Sequence, residues 1–199
     1  MVAPTLKNSA GRSNREIILG IDPGSLVTGW GLVEVESNQL HHQSHGVIGP
    51  SASLGLAERL SQIYRGLHDV IDQYHPTAVS LEKVFFSRNV QSALKLGQAR
   101  GVALLAAAEH HIAVTEYSAA EIKVAVVGYG RATKEQVQRM VSALLCVRGA
   151  MRADAADALA AAICHIHRRA SQPQAMQSSN GSAKKTSWRD CLELAAGKR

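Results

Sequence analysis

The sequence predicts an α/β fold on a mixed five-stranded sheet, with three antiparallel strands followed by parallel strands and with helices flanking the sheet. An apolar run at 17–21 stops at Asp22 and a Pro-Gly turn and resumes at 28–36, which indicates a buried strand, a tight turn and a second strand. Helical periodicity separates this unit from two later apolar segments, at 77–82 and 112–116. Because a helical crossover joins parallel strands, we expect 77–82 to run parallel to the first strand.

Turn and cap residues predict the other elements of the first half. A hairpin turn at 37–39 connects the second strand to a third at 40–48. Ser53 precedes an amphipathic helical pattern that ends before Pro76.

The third strand carries three histidines, His41, His42 and His45. Successive side chains of a strand point to opposite faces, so His42 and His45 are expected on different sides of the sheet. We therefore interpret this segment as a solvated hairpin and not as a metal site.

A helix predicted at 90–111 is apolar on nearly all sides and contains Gly97 and Gly101. Each glycine inside a helix costs about 1 kcal/mol relative to alanine, so we expect close packing against a neighbour to compensate. A helix with two apolar faces needs two covering surfaces. The sheet is one, and we expect a second copy of the chain to be the other.

Cap residues predict three further helices. Ser118 is expected to cap a short helix at 119–126, and Thr133 with Gln136 forms a capping box for a helix that runs to Leu145. The last helix is predicted at 154–167.

Length and composition predict one domain with two tails. The 199 residues suffice for one sizeable core, which we place at 16–170 between a disordered basic extension at 1–15 and a flexible basic tail at 171–199. The three cysteines are far apart, which favours free thiols in a reducing cytoplasm. With no apolar signal segment and no stretch long enough to span a bilayer, the chain is expected to be soluble and cytoplasmic, without a membrane partner.

The formal net charge of +6 is unevenly distributed. Residues 16–82 hold two basic and eight acidic side chains, whereas residues 83–139 hold eight basic and four acidic ones. The middle of the chain is therefore the expected basic face, suited to nucleic acid.

Four carboxylates are expected to converge. Asp22 and Glu82 end neighbouring parallel strands, and Asp154 and Asp157 share one helix face. Taken singly, Asp22 is explained as the start of an Asp-Pro-Gly turn, and Asp154 and Asp157 as a helix cap and a first-turn acid. Together, four acids match two divalent cations, and their hard oxygen ligands suit Mg²⁺ or Mn²⁺.

Three segments carry a resemblance to a known family: Ile18 to Ser25 with Thr28-Gly29, Glu82 to Gly101, and Ala153 to Ala160. They resemble the RuvC family of bacterial Holliday-junction resolvases, in the same order and over roughly residues 16–167. The resemblance implies an RNase H-like fold, a homodimer, and paired nicking of opposed strands at a four-way DNA junction. It also implies two Mg²⁺ or Mn²⁺ ions per active site and delivery of the junction by the branch-migration proteins RuvA and RuvB.

The resemblance assigns roles residue by residue. Asp22, Glu82, Asp154 and Asp157 match the metal-binding carboxylates, and Lys123 and Lys134 match lysines near the cleaved backbone. Phe85 matches an aromatic residue that stacks on bases near the crossover. In the surrounding basic stretch we expect three further DNA contacts, from Lys83, Arg88 and Arg131.

Two other functions remain open. A strand followed by Asp-x-Gly and a hairpin also begins actin- and hexokinase-like ATPases, but these need a second similar domain that 199 residues do not hold. The other is a non-catalytic junction-binding module, which a metal-dependent nicking assay distinguishes from an enzyme.

Overall fold

A computed structural model describes residues 15–83 and 90–171. Within these ranges the strands are β1 Glu16–Asp22, β2 Thr28–Glu36, β3 Gln39–Ile48, β4 Ala78–Glu82 and β5 Ala113–Tyr117. The helices are α1 Leu56–Tyr74, α2 Val90–Glu109, α3 Ala119–Val127, α4 Lys134–Leu144 and α5 Ala153–Ala170. The predicted tails lie almost wholly outside the described residues, so the domain boundaries stay a prediction.

The five strands form one sheet in the order β3-β2-β1-β4-β5. β1 pairs antiparallel with β2, and β2 with β3, while β4 runs parallel to both β1 and β5. The predicted mixed sheet of three antiparallel strands and then parallel strands is confirmed. The central strand β1 is buried on both faces, because Ile18 and Leu19 point to opposite sides and neither is exposed. This is why its sequence is a continuous apolar run and not an alternating one.

Helices cover both faces of the sheet. Ile18 belongs to a core shared with α3, α4 and α5, whereas Leu19 belongs to a second core shared with α1 and α2. Among the described residues, no helix has both the length and the apolar character needed to cross a membrane.

Two of the predicted helix caps are confirmed. Ser118 and Thr133 accept hydrogen bonds from the backbone amides of Glu121 and Gln136, whose side chains bond back to the cap residues. Ser53 precedes α1 as predicted, but the helix begins at Leu56 and its N-cap is Gly55.

The predicted hairpin of β2 and β3 is confirmed, but the prediction that His42 and His45 lie on opposite faces is wrong. A bulge pairs Leu32 with Ser44 but Val33 with His42, so Gln43 is an extra residue in β3. His42 Nε2 consequently lies 2.7 Å from His45 Nδ1, as a hydrogen-bonded pair. The extra residue interrupts the two-residue alternation from which opposite faces were predicted.

The glycines of α2 do not pack as expected within the described chain. A Cβ atom on Gly97 or Gly101 would meet nothing within 4 Å. The buried side chains of α2 are four alanines, and three large apolar residues of this helix are more than half exposed: Val90, Leu94 and Leu105.

Candidate active site

The register of β1 and β4 brings two acids to one edge and one face of the sheet. Ile21 pairs with Leu81, so Asp22 and Glu82 follow side by side at the carboxyl ends of parallel strands. Alternate residues of both strands face α5, as shown by Ser80, whose hydroxyl donates to the Ala161 carbonyl at 2.7 Å. Asp22 and Glu82 therefore point toward α5.

The turn after Asp22 is closed by a buried threonine. The Thr28 hydroxyl donates to the Gly24 carbonyl at 2.8 Å and accepts from the Gly24 amide at 3.3 Å. A Cβ on Gly24 would lie 2.2 Å from the Val27 carbonyl oxygen, so the turn requires glycine. Thr28 thus holds the backbone that follows Asp22.

Glycines of the sheet bring the backbone of α5 directly onto the strands. A Cβ on Gly20 would lie 1.8 Å from the Ala158 carbonyl oxygen, and one on Gly29 would lie 2.0 Å from the Asp154 carbonyl oxygen. Gly29 is the cross-strand partner of Asp22. The first turn of α5, which carries Asp154, therefore lies beside the strand end that carries Asp22.

Asp157 faces a cleft that also contains lysines. Lys134 is the first residue of α4, and its ammonium lies 2.5 Å from the Asp157 carboxylate. The cleft has a volume of about 230 Å³, and its polar lining comes from Glu82, Lys123, Lys134 and Asp157. Its apolar walls are Ala119, Ile122, Val137 and Ala160. These apolar side chains thus reduce the contact of Glu82 and Asp157 with water on this side of the cleft.

The raised pKa of Asp22 shows that the ionised form of this carboxyl is destabilised at the site. The pKa of Asp22 is raised from 3.8 to about 7, mainly by burial and then by the negative charges of Asp157 and Glu82. Lys134 opposes them, and Asp154 adds a smaller repulsion. The four acids therefore interact electrostatically, as a shared site requires.

Glu82 and Lys134 respond to the same charges. Burial and the charge of Asp157 raise the pKa of Glu82, which Lys134 and Lys123 lower in turn. The hydrogen bond that the Lys134 ammonium donates to the Asp157 carboxylate raises the pKa of Lys134, and the negative charges of Asp157, Asp22 and Asp154 add to this effect. Each lysine thus offsets part of the repulsion among the carboxylates.

The chemistry of this donor set fits divalent metal ions. All four candidate ligands are carboxylates, and hard oxygen ligands select Mg²⁺ or Mn²⁺. The raised pKa of Asp22 shows that positive charge is favourable here, because a cation at the carboxylates would remove the repulsion. In the described residues the positive charge closest to Asp157 is the ammonium of Lys134, at 2.5 Å.

Comparison with known proteins identifies the family. Residues 18–165 match the family described as "Crossover junction endodeoxyribonuclease RuvC". The chain belongs to the RuvC family. It is 52% identical over 153 residues to the RuvC protein of Legionella pneumophila strain Lens, covering 77% of this chain and 88% of that protein. It is 53% identical over 150 residues to that of Syntrophotalea carbinolica, covering 75% and 93%.

Solved structures agree with this RuvC assignment. A structure described as "T. thermophilus RuvC in complex with Holliday junction substrate" is 34% identical, with a TM-score of 0.73 over 77% of this chain and 94% of that one. The yeast mitochondrial Holliday junction resolvase Ydc2 has a TM-score of 0.57 at 12% identity, over 77% of this chain and 78% of that one, which shows a shared fold. The RNase H-like architecture implied by the resemblance is confirmed.

The positions of the other predicted RuvC residues are only partly described. Lys83 follows β4 and is exposed, with its backbone amide donating to the Tyr117 carbonyl at 2.7 Å. Arg131 is exposed in the connection between α3 and α4. Phe85 and Arg88 lie outside the described residues, so their placement stays a prediction.

Arg100 is a residue of this RuvC chain to which the sequence analysis gave no role. From α2 its guanidinium donates to the Glu82 backbone carbonyl at 3.2 Å and forms an ion pair with Glu116 on β5. It thereby fixes the end of β4 where the catalytic candidate Glu82 stands. The available signal was a cation followed by the alanine-, glycine- and leucine-rich second half of α2.

Proposed function

We propose that this protein resolves four-way DNA junctions by paired, symmetric nicks in opposed strands during recombination and repair. The reaction is hydrolysis of a phosphodiester bond that leaves 5′-phosphate and 3′-hydroxyl ends. The observation that carries the proposal is the meeting of Asp22, Glu82, Asp154 and Asp157 at one edge of the sheet, with mutual repulsion that raises the pKa of Asp22. The likeness to a RuvC protein bound to a Holliday junction supports the choice of substrate.

Asp22, Glu82, Asp154 and Asp157 are the residues proposed to hold two Mg²⁺ or Mn²⁺ ions. Such ions, when bound, supply activation of water and neutralisation of the leaving oxygen. The chain contributes the geometry: Thr28 fixes the turn beside Asp22, and Arg100 fixes the strand end at Glu82. Arg152, whose guanidinium lies 3.4 Å from the Asp154 carboxylate, orients the first turn of α5.

The two lysines are proposed to act on the phosphate. The Lys134 ammonium is paired with Asp157, and its side chain is more than half exposed. Once bound cations neutralise the acids, this exposed side chain can turn from the carboxylate to a DNA phosphate. Lysine suits this role because its charge is compact and its stem flexible. Lys123, on the facing wall of the cleft, adds positive charge on the side where negative charge develops in the transition state.

Phe85, Lys83, Arg88 and Arg131 are proposed to bind the junction around the site. Phe85 is proposed to stack on an unpaired base, an interaction worth about 1–3 kcal/mol for each base. Lys83 and Arg131 are exposed, as contacts to phosphates require. Delivery of the junction by the RuvA and RuvB proteins belongs to the same proposal.

A homodimer is proposed to form through α2. Its exposed Val90, Leu94 and Leu105, and the open space above Gly97 and Gly101, support a helix surface that a second copy covers. A two-fold dimer presents two sites in the symmetry of a four-way junction.

The test is nicking of a synthetic four-way junction with and without Mg²⁺. Wild type should nick opposed strands, and Asp22→Asn should lose cleavage while keeping its fold and junction binding. Asp69→Asn is the matched control, since Asp69 is an exposed acid on α1 remote from the site. A wild-type protein that binds junctions but never nicks them is the non-catalytic alternative, and Mg²⁺-dependent nicking by Asp22→Asn contradicts the assignment of the site.

A further inference from the structure

Two histidines and a carboxylate meet where α1 and α2 end, outside the active site. His68 and Asp72 are four residues apart on α1 and share a face of the helix, and His110 directly follows α2. One ligand atom from each of these three residues lies within 4.8 Å of the other two. Among the described residues, no other group of three histidine, cysteine or acidic side chains meets this distance.

The distances within this cluster match those of a metal site. His68 Nδ1 lies 3.2 Å from one oxygen of Asp72, and His110 Nδ1 lies 3.5 Å from the other. A tetrahedral zinc ion with bonds of about 2.1 Å separates neighbouring ligand atoms by roughly 3.4 Å. The three side chains therefore already stand at ligand-to-ligand spacing.

Hydrogen bonding explains the arrangement of these three side chains less well than metal binding does. A separation of 3.5 Å between His110 Nδ1 and Asp72 is longer than an ordinary N–H···O bond. The Nε2 atom of His110 is buried without a partner among the described residues. The rings of His68 and His110 stand edge to face with centroids 4.7 Å apart, which leaves both Nδ1 atoms directed at the carboxylate side of the cluster.

The charges around the cluster favour a cation. The Tyr64 hydroxyl donates to the Glu109 carboxylate, and the negative charges of Glu109 and Asp72 both raise the pKa of Tyr64. Two acids thus lie beside two imidazoles. Asp72 is more than half exposed, so an ion can enter from solvent and water can fill the remaining coordination position.

The cluster is far from the carboxylates of the active site. α1 and α2 each end before a strand that runs toward the opposite edge of the sheet, where Glu82 stands. The five residues of β4 span roughly 16 Å at about 3.3 Å per residue. Binding at the two places can therefore be measured separately.

We propose that His68, Asp72 and His110 bind one zinc-class divalent cation that links the ends of α1 and α2. Two imidazole nitrogens select Zn²⁺, Co²⁺ or Ni²⁺ over Mg²⁺, which prefers oxygen ligands. The site is structural and distinct from the proposed Mg²⁺ site, because it lies at the ends of α1 and α2 and not at the strand ends that carry Asp22 and Glu82.

The test is calorimetric titration of the full chain with Zn²⁺ in saturating Mg²⁺, supported by the visible absorption of bound Co²⁺. Wild type should bind one ion, with a spectrum of nitrogen ligation and a higher melting temperature. His68→Gln should lose more than the roughly 10–100-fold in affinity that is usual for removing an outer partner of a metal ligand. His68 is partly exposed, so this variant is expected to fold, and His110→Asn provides the second measurement.

His42→Asn is the matched control, because His42 and His45 form the other close histidine pair in the described residues. This variant should keep the affinity of wild type for Zn²⁺. Absence of Zn²⁺ binding by wild type, full affinity in His68→Gln, or loss of binding in His42→Asn alone would each overturn the proposal.

Discussion

α5 and α2 are similar in composition and opposite in environment. Both are long helices rich in alanine, yet eleven residues of α5 are buried and only four of α2. Under α5 the glycines lie on the strands, at Gly20 and Gly29, and the helix backbone fills the space above them. In α2 the glycines lie on the helix itself, at Gly97 and Gly101, and nothing described fills the space above.

This difference shows that glycines indicate close packing of two backbones only where a second element lies against them. Over β1 and β2 the approach is complete, and it carries Asp154 and Asp157 to the strand ends. Over α2 no described residue fills the space above the two glycines, which is why we propose that a second copy covers this surface. One helix is covered by the fold, and we propose that the other is covered by assembly.

The largest effect is expected from filling the space under α5. Gly29→Ala places a Cβ atom 2.0 Å from the Asp154 carbonyl oxygen, so α5 must move away from the sheet. We expect the free energy of unfolding to fall by more than about 3 kcal/mol, beyond the usual cost of overpacking. Nicking should fall as well, because Asp154 and Asp157 move with the helix. Urea unfolding and the junction assay measure both.

Gly49→Ala is the control for this change, since a Cβ there would meet nothing within 4 Å. Its free energy of unfolding should stay within about 0.5 kcal/mol of wild type. Equal stability of the two variants would contradict the close approach of α5.

A smaller effect is expected from filling the space above α2. A Cβ on residue 101 would meet no described atom within 4 Å, so Gly101→Leu should gain up to about 1 kcal/mol from helix propensity in the isolated subunit. Across a dimer interface the added side chain overpacks by about 1–3 kcal/mol, and the dimer should dissociate. Light scattering measures the oligomeric state, with Val124→Ala, an exposed apolar site on α3, as the control that keeps it. A Gly101→Leu protein that stays dimeric places the interface elsewhere.

The smallest effect, taken over a single pH unit, concerns one proton at the active site. In metal-free protein the pKa of Asp22 is raised to about 7, above its unfolded value of 3.8. Its folded state therefore binds the proton more tightly, so this contribution to stability is complete below pH 3.8 and is lost as the pH rises through about 7. Between these limits wild type should lose stability relative to Asp22→Asn by at most about 1.4 kcal/mol for each pH unit.

Urea unfolding in a chelator at several pH values measures this difference. Mg²⁺ should weaken the pH dependence, since bound cations favour the ionised carboxylate. Parallel pH profiles of wild type and Asp22→Asn would contradict the electrostatic coupling of Asp22 to the other acids.

Much of the site was predictable because it depends on strand ends. Asp22 and Glu82 each follow a short apolar segment, and parallel neighbours end at the same edge of a sheet. Their partners Asp154 and Asp157 were predicted from helical spacing together with a family resemblance. The role of Arg100 was not, because it depends on contacts with Glu82 and Glu116, which are distant in sequence.

The sequence by itself determined the three antiparallel strands, the parallel direction of the fourth and the caps at Ser118 and Thr133, since local periodicity and short motifs encode all of these. It also indicated the residues that we propose carry the chemistry. Only the tertiary structure decided which side chains meet. The bulge that joins His42 to His45, the seating of α5 on Gly20 and Gly29, and the meeting of His110 with His68 and Asp72 all depend on register and packing between distant segments. Such contacts leave no periodic signal in the chain, because each is fixed by the shape of its neighbour.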